Sequence, residues 1–359
     1  MSSVSADDAG LLPHRRETSL PDAVEVRTSS RVHITLIDMN GSAGRRDGSV
    51  GFAVADPGLR LVLARGGPPR CDGAADPAEA ARVMAAVRYA AAALGVPDTV
   101  RVRLHTSVPA HSGFGSGTQL RLAALRGLAE LGGLRLADRD LTALSRRGGT
   151  SGIGVHAFTH GGFLVDGGHR TRDKDAFAPS RFAEGMPVPP LVYARTPPEH
   201  WGIVLALPEG VRGLEGTAER DFMSAHTPLP LSDVRAVAHT VLMGLLPALE
   251  EGDLAAFGAC LTRLQDMGWK RAHWQRPELR PWRPLVDLMC AQGAAGGGLS
   301  STGPLVYAVY DRSECDDSEL VRRIGAAAGR AGLPLASLIT TTFGGPAATV
   351  LPRGVTATP

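Results

Sequence analysis

The sequence predicts an α+β protein made of two domains. Its 359 residues are too many for one small core and suit two domains of ordinary size. Stretches in which apolar and polar residues alternate, typical of strands, are interleaved with segments of helical periodicity. In the second half, the pattern indicates antiparallel strands with helices packed on one face, which is the α+β arrangement.

The domain boundaries follow from composition. Residues 1–23 are polar and lack a periodic pattern, so we expect a disordered leader. Proline-rich stretches at 187–190 and 197–198 predict a hinge. We therefore assign 24–196 to the first domain and 197–353 to the second.

The elements of the first domain are justified by local signals. Asp76 and Pro77 are typical of a helix start and Gly95 of a helix end. Asn40 and Gly41 indicate a turn. Strands are predicted at 24–28, 32–37, 50–54, 59–63, 100–104 and 162–166, and helices at 76–94, directly after a glycine-rich segment near 115, and at 138–146.

The second domain alternates strands and longer helices. Strands are predicted at 201–207, 305–310 and 338–343, and helices at 232–251, 253–267, 283–292 and 317–331. No internal repeat is present in the sequence.

Composition excludes several classes of function. A hydrophobic content of 43% and a formal net charge of +2 indicate a globular protein with no bulk attraction to nucleic acid or membranes. Lysine occurs only at 174 and 270, so nearly every basic residue is an arginine. The four cysteines lack metal-ligand spacing, and no export signal or membrane span is recognisable, so we expect a cytoplasmic protein.

The most informative segment is Pro-Ala-His-Ser-Gly-Phe-Gly-Ser-Gly-Thr-Gln-Leu at 109–120. It lies between a predicted strand and a predicted helix. Glycines let a backbone approach an anion closely, and a helix N-terminus offers unpaired N–H groups. The segment is therefore either a phosphate cradle or a tight turn that needs glycine only for its dihedral angles.

This segment resembles the phosphate loop of the GHMP kinase superfamily, Pro-x-x-x-Gly-Leu-Gly-Ser-Ser. Further segments resemble one branch of that superfamily, the β-ribofuranosylaminobenzene 5′-phosphate synthases and the related C-nucleoside synthases. They lie at 31–41, 44–48, 147–155, 161–169 and 298–304. The resemblance spans 24–350. It implies a two-domain GHMP-kinase-like fold, with a ribosomal-protein-S5-like N-terminal domain and a ferredoxin-like C-terminal domain, and a homodimer.

The resemblance also implies a reaction. Phosphoribosyl pyrophosphate donates its ribosyl group to the ring carbon of an aromatic or heteroaromatic carboxylic acid, and CO₂ and pyrophosphate leave, with Mg²⁺ as cofactor. Gly154 stands where kinases of the superfamily carry a catalytic aspartate, which argues against phosphoryl transfer to an alcohol. An ATP-dependent small-molecule kinase and a non-catalytic sugar-phosphate-binding protein remain the alternatives.

Site residues are assigned from the matching segments. Hydroxyls of the loop could instead cap the following helix, the arginines could be solvated, and the two aspartates could form turns. The predicted phosphate-binding residues are Arg31, Arg45, Gly113, Gly115, Ser116, Gly117, Thr118 and Gln119; the catalytic residues are His33, Asp38, Arg147 and His169; the acceptor-binding residues are Ser151, Gly152, Ser300 and Ser301; and the metal ligands are Asp38 and Asp47.

The identity of the acceptor depends on departures from the branch pattern. Thr150 stands where the benzoate-using group is associated with a basic residue, and Ile34-Thr35 replaces its usual aromatic-glycine pair. These departures favour a pyrazole dicarboxylate, as in C-nucleoside biosynthesis, over 4-aminobenzoate or 4-hydroxybenzoate.

Three tryptophans cluster with basic residues at 269–282. For these we expect packing, a dimer contact or a lid rather than a surface that stacks nucleic-acid bases.

Overall fold

The computed structural model of the protein describes residues 14–15, 20–110 and 112–350. The predicted leader, 1–23, lies outside the described residues except for 14–15 and 20–23, and so does the predicted end of the second domain, 351–353.

The strands are numbered along the chain. They are β1 (His14–Arg15), β2 (Ala23–Asp38), β3 (Arg45–Arg65), β4 (Arg70–Asp72), β5 (Val100–Thr106), β6 (Leu134–Arg135), β7 (Phe163–Asp166), β8 (His169–Arg170), β9 (Leu191–Arg195), β10 (Trp201–Pro208), β11 (Gly296–Leu299), β12 (Val306–Asp311), β13 (Leu335–Thr342) and β14 (Ala348–Val350).

The helices are numbered in the same way. They are α1 (Pro77–Leu94), α2 (Ser116–Leu131), α3 (Asp138–Ser145), α4 (Ile153–Thr159), α5 (Gly216–His226), α6 (Leu231–Thr240), α7 (Leu246–Glu251), α8 (Leu254–Leu264), α9 (Gly268–Trp274), α10 (Pro284–Ala291) and α11 (Asp317–Arg330). A π-helical segment, Val241–Leu245, joins α6 to α7.

A long hairpin organises the larger sheet. β2 and β3 pair antiparallel from Asp38 opposite Asp47 to Ala23 opposite Ala64. Among the described residues, eight strands join this sheet in the order β14-β2-β3-β5-β4, with β7 and β8 also on β3 and β9 on β7. Buried side chains of α1 and α2 share a core with β2, β3 and β5. That packing fixes the start of α2 beside the middle of β2.

The smaller sheet has the order β11-β12-β10-β13, and all its pairs are antiparallel. Helices α8, α10 and α11 pack against it. The core does not stop at the domain boundary, because Phe52 of β3 contacts Tyr307 of β12 with ring centroids 5.5 Å apart. The two sheets are therefore held together by a shared apolar cluster.

The α+β architecture is observed, and most predicted elements are present. Asp76 caps α1 by accepting from the Glu79 N–H at 2.7 Å, and Gly95 ends the helix with φ +64°. Several interpretations were wrong. The strands predicted separately at 24–28 and 32–37 form the single strand β2, and those predicted at 50–54 and 59–63 form the single strand β3. The helix predicted at 232–251 is divided by the π-helical segment Val241–Leu245, and the predicted hinge contains β9, which pairs with β7.

One strand of the predicted second domain belongs to the larger sheet. β14, near the end of the described chain, pairs antiparallel with β2. The chain therefore returns to the first sheet after leaving the second.

Within the described part of the chain, no single helix is long and apolar enough to cross a membrane. Two consecutive helical segments, Gly216–His226 and Leu231–Glu251, together have the length and apolar composition of a membrane span, but they are bent by 106° relative to each other.

Candidate active site

A cavity of about 670 Å³ opens between the glycine-rich segment, the middle of β2 and the second domain. It brings together residues that lie far apart in the sequence. The predicted site residues that line it are Arg31, His33, Gly113, Gly115, Ser116, Gly117, Thr118, Arg147, Ser151 and Ser301. This convergence makes the cavity the candidate active site.

The start of α2 forms one wall of the cavity. Gly115 is the N-cap residue with φ +75°, and no side chain of the described residues caps the helix. The Ser116 and Thr118 hydroxyls are therefore not used for capping, so both remain available to a ligand. A side chain at 115 would also meet the Arg31 Cγ at 3.0 Å. Glycine is thus required there both by the dihedral angle and by the passing arginine.

Arg31 joins β2 to this wall. Its backbone N–H donates to the Phe114 carbonyl at 3.0 Å, and its Nη1 donates to the Gly113 carbonyl. Burial lowers the pKa of Arg31 to about 10, while the charge of Glu219 acts in the opposite direction. The guanidinium is nevertheless cationic at neutral pH, and it lies where an anion held by the glycine-rich segment would meet it.

A second arginine lies on the other side of α2. An ideal Cβ on Gly117 would be 3.9 Å from Arg147 Nη2, so this guanidinium faces the first turn of the helix. Burial and the charge of Arg121 lower the pKa of Arg147, although Glu184 opposes them. The Arg147 Nε is buried and, among the described residues, has no hydrogen-bond partner. Such a cluster of desolvated cations is stabilised by a bound polyanion.

A buried histidine and lysine lie behind Arg31. His33 is 6% exposed, and neither ring nitrogen has a hydrogen-bond partner in the described part of the chain. Burial, Lys270 and Arg31 hold the pKa of His33 well below its usual value, so its imidazole is neutral at pH 7. Lys270 Nζ donates to the carbonyls of Leu299 at 2.6 Å and Ser301 at 2.7 Å. The neutral His33 ring can therefore donate or accept toward a ligand.

A second part of the cavity, here called its apolar end, is lined by large apolar side chains. Leu36, Met223 and Trp269 line it and belong to one buried cluster with Met39. Such a surface suits the face of a planar ring.

The carboxyl group of Glu219 also lines the cavity, on the same helix as Met223 and four residues before it. Burial raises the pKa of Glu219 to about 7, although Arg31 and Arg276 act to lower it. A carboxyl group that titrates near neutral pH within a cavity is a candidate functional group.

Three predicted site residues support the wall instead of lining it. Ser300 Oγ donates to the Gly113 carbonyl at 2.7 Å and accepts from the His33 N–H at 3.1 Å, which ties the second domain to the glycine-rich segment. Gln119 is fully buried and donates to the Gly154 carbonyl at 2.7 Å. The Gly152 N–H donates to Asp166 Oδ2 at 2.8 Å.

The remaining predicted residues, Asp38, Arg45, Asp47 and His169, lie around the tip of the β2–β3 hairpin and do not line the cavity. Asp38 Oδ1 accepts from the backbone N–H groups of residues 40 and 41 at 2.8 Å each. The Arg45 guanidinium donates to the carbonyls of residues 167 and 168. These contacts are typical of turn formation and strand connection.

Asp47 is enclosed in this hairpin network. Its side chain is fully buried, and its Oδ2 accepts from His169 Nδ1 and from Lys174 Nζ, each at 2.8 Å. Among the described residues, no three His, Cys, Asp or Glu side chains are grouped as a metal site. The two residues predicted to hold Mg²⁺, Asp38 and Asp47, are engaged in contacts around the hairpin and do not line the cavity.

Sequence reasoning missed four of the residues described above: Leu36, Glu219, Met223 and Lys270. Lys270 offered a signal, because it is one of only two lysines in the chain. Trp269 belongs to the tryptophan cluster for which packing was expected, and it is 4% exposed. Glu219 had no signal, since α5 was not predicted.

Comparisons with known proteins identify relatives of this chain. The model of the GHMP kinases N-terminal domain matches residues 81–162. The β-ribofuranosylphenol 5′-phosphate synthase of Methanothermobacter thermautotrophicus is 39% identical over 292 residues, which cover 80% of this chain and 88% of that protein. The protein of the same name from Archaeoglobus fulgidus is 40% identical over 288 residues, with the same shares covered.

Solved structures with low sequence identity share the fold. Homoserine kinase from Cytophaga hutchinsonii has a TM-score of 0.65 at 17% identity, covering 94% of this chain and all of that one. Mevalonate kinase of L. major has a TM-score of 0.60 at 15% identity, covering 93% and 99%. With its two-domain α+β fold of the GHMP kinase type, the chain belongs to the β-ribofuranosylphenol 5′-phosphate synthase family.

Proposed function

We propose that this protein is a transferase that joins the ribosyl carbon C1 of phosphoribosyl pyrophosphate to the carboxylate-bearing ring carbon of an aromatic acid. The observation that carries the proposal is the cavity itself. Its one end is a helix N-terminus flanked by Arg31 and Arg147, and its other end is apolar. A polyanionic sugar and a planar ring therefore fit side by side, and the names of the relatives describe a ribofuranosyl 5′-phosphate product.

The donor half of the reaction needs electrostatic stabilisation. As the bond from C1 to the pyrophosphate oxygen breaks, its electron pair leaves with pyrophosphate and C1 becomes electron-deficient. The N–H groups at the start of α2, the Ser116 and Thr118 hydroxyls and the two arginines are arranged for the growing negative charge. Preorganised donors of this kind usually supply the largest part of the rate enhancement.

The acceptor half forms the carbon–carbon bond. The ring carbon attacks C1, the bond from that carbon to its carboxylate then breaks, and the released electron pair restores the aromatic ring as CO₂ leaves. No ring C–H proton has to be removed. The ring would lie against Leu36, Met223 and Trp269, which form the apolar end of the cavity.

The relatives direct the choice of acceptor to test first. Their names specify a ribofuranosylphenol product, which corresponds to 4-hydroxybenzoate as the acid. Those names do not support the pyrazole dicarboxylate that Thr150 and the Ile34-Thr35 pair favoured. 4-Hydroxybenzoate is therefore the leading acceptor in this proposal.

Mg²⁺ and the homodimer remain part of the proposal. Since Asp38 and Asp47 do not line the cavity, the ion would be held mainly by oxygens of the donor, and every assay should contain it.

A kinase reaction is the alternative that the fold raises. Gly154 lies in α4, and an ideal Cβ there would be 3.3 Å from Thr118 Cγ2. A side chain at this position would require Thr118 to shift by a few tenths of an ångström, and glycine leaves the position without an acid.

The test is a pyrophosphate-release assay with phosphoribosyl pyrophosphate and Mg²⁺, run separately with 4-hydroxybenzoate, 4-aminobenzoate and 4-aminopyrazole-3,5-dicarboxylate. We expect release with 4-hydroxybenzoate and a product mass that shows loss of CO₂. Turnover with the pyrazole acid alone would keep the reaction but change the acceptor. No turnover with any acid, together with ADP formation from ATP and a small alcohol, would overturn the proposal in favour of a kinase.

A further inference from the structure

Glu219 lines the cavity, and the proposed reaction, as written above, leaves its carboxyl group without a role. It lies in the first turn of α5, and Met223 follows it by four residues, so both side chains lie on the same face of the helix and line the cavity. Met223 packs in the apolar cluster with Leu36 and Trp269. The carboxyl group of Glu219 is therefore positioned next to the surface where we place the aromatic ring.

Among the described residues, no ion pair or hydrogen bond holds this carboxyl group. Two cations act on it from neighbouring elements, Arg31 of β2 and Arg276 after α9, and both act through space without a hydrogen bond. Those two arginines have other partners. Arg31 Nη1 donates to the Gly113 carbonyl, and Arg276 pairs with Glu278 and donates to the Thr302 carbonyl at 2.7 Å. Glu219 is thus a cavity carboxyl group free to meet a ligand.

The acceptor chemistry supplies a task for such a group. A ring carbon that bears a carboxylate is a weak nucleophile unless the ring gains electron density. Ionisation of a hydroxyl or N–H conjugated with the ring provides that density, because the electron pair of the broken bond is delocalised to the attacking carbon. A carboxylate next to the ring can accept this proton.

We propose that Glu219 is the general base that removes the proton from the ring-conjugated O–H or N–H of the acceptor and returns it after CO₂ leaves. This inference rests on the proposed function. In the first step the O–H or N–H bond breaks, the ring carbon bonds to C1, and pyrophosphate leaves with the electron pair of its C1–O bond. In the second step the bond to the carboxylate breaks, its electron pair restores the ring, and the heteroatom takes back the proton from Glu219.

The charges that act on Glu219 and the protonation state of His33 fit this role. Arg31 and Arg276 favour its ionised form, which a base requires. The imidazole of His33 is neutral, so it does not compete as a charged acid. Burial brings the pKa of Glu219 to about 7, which gives a base of useful strength at neutral pH.

The test compares Glu219→Gln with Asp221→Asn. Asp221 lies on the same helix, and its side chain is 69% exposed and pairs with Arg220, so this variant controls for the loss of a carboxylate on α5. We expect Glu219→Gln to lower kcat with 4-hydroxybenzoate by about 100-fold or more. Binding of phosphoribosyl pyrophosphate, measured by calorimetry, should change less than about threefold in either variant. Asp221→Asn should keep wild-type kcat.

An acceptor that ionises more easily distinguishes a role of Glu219 as a base from a purely structural role. 3,5-Difluoro-4-hydroxybenzoate loses its phenolic proton at lower pH than the parent acid, so it needs the base less. With this acceptor we expect the loss of kcat caused by Glu219→Gln to be smaller by about tenfold or more. We also expect that the kcat of the wild-type enzyme rises with pH near 7 and that the kcat of the variant does not. If the active acceptor is a pyrazole acid, the pH profile serves as the same test.

Two outcomes would overturn the inference alone: wild-type turnover retained by Glu219→Gln, or an equal defect with both phenols and an unchanged pH profile. A wild-type enzyme that makes no product with any acid would overturn the proposed function and this inference with it. Thermal unfolding of each variant shows whether a loss of activity reflects a loss of fold.

Discussion

The replacement of Gly117 by alanine tests whether the first turn of α2 holds a phosphate group. An ideal Cβ at this position has one neighbour within 4 Å, the Nη2 of Arg147 at 3.9 Å, which is an ordinary contact. The backbone of Gly117 is not in the positive-φ region. The folded protein should therefore accept the methyl group, and alanine in place of glycine within a helix should raise the free energy of unfolding by up to about 1 kcal/mol.

The same methyl group should weaken donor binding. A phosphate oxygen that bridges the helix N–H groups and Arg147 would occupy the space that the new Cβ takes. We expect the Kd of phosphoribosyl pyrophosphate to rise by about tenfold or more, which corresponds to about 1.4 kcal/mol. Stability and affinity should thus change in opposite directions in this one variant.

Gly115→Ala provides the contrast. With φ +75° and Arg31 Cγ only 3.0 Å from the new Cβ, the strained backbone costs about 1–2 kcal/mol and the arginine must move. Stability and affinity should therefore fall together. Urea unfolding and calorimetric titration of the donor measure both quantities. Wild-type donor affinity in Gly117→Ala would refute the phosphate cradle, and a loss of stability above about 1 kcal/mol would refute our description of the packing.

Three further variants test the support of the site. Ser300→Ala removes the hydroxyl that donates to the Gly113 carbonyl at 2.7 Å and accepts from the buried His33 N–H at 3.1 Å. It should lower the free energy of unfolding by about 1–3 kcal/mol in urea, whereas an unchanged midpoint would mean that these contacts do not tie the domains. Lys174→Met removes a cation from the fully buried Asp47 and should cost about 3–5 kcal/mol by the same measurement; a cost below about 1 kcal/mol would contradict the buried pair. Burial raises the pKa of Asp166 from 3.8 to about 6, so the folded state keeps a proton that the unfolded state has lost, and stability from this group falls as the pH rises from about 4 to 6. Asp166→Asn should remove that slope, of at most about 1.4 kcal/mol per pH unit, in unfolding curves at several pH values, and an unchanged slope would assign it to other groups.

The parts of the fold that the sequence predicted are those with local causes. The cap at Asp76 and the stop at Gly95 define α1 without reference to the rest of the chain. The glycine-rich segment, followed by the apolar stripe of α2, likewise predicted both a helix start and a wall of the site. Hydrogen bonds and dihedral preferences over a few residues decide such features, so a sequence pattern is sufficient to find them.

The apolar end of the cavity has no local cause. Leu36, Met223 and Trp269 come from β2, α5 and α9, and they meet only because the two domains share a core. Glu219 becomes a perturbed carboxyl group through burial in that assembled cavity. A pattern of neighbouring residues carries no information about which distant segments will enclose a side chain, so the base that we propose could not be predicted.

The hairpin network shows a different limit. A motif marks residues that accompany a function without saying which of them touch the substrate. Asp47 adopts φ +64° at the end of a turn and accepts from His169 and Lys174, while Lys174 also donates to the Gly149 carbonyl at 2.7 Å. That contact holds the segment that carries Arg147. The network therefore supports the wall of the cavity without contributing side chains to its lining. The sequence alone does not distinguish residues that support the wall from residues that line it.

The use of the two kinds of cation follows from their chemistry. Both lysines of the chain, Lys174 and Lys270, are buried and donate to backbone carbonyls, which suits a compact ammonium group with three donors. Burial holds the pKa of Lys270 well below its usual value, whereas Arg31, whose charge acts on Lys270, keeps a pKa of about 10. A lysine at position 31 would therefore lose charge where a departing pyrophosphate needs it most. An arginine stays cationic when it is desolvated, and its planar guanidinium offers a pair of N–H groups to phosphate oxygens. We therefore expect Arg31→Lys to weaken the binding of phosphoribosyl pyrophosphate although lysine is also a basic residue.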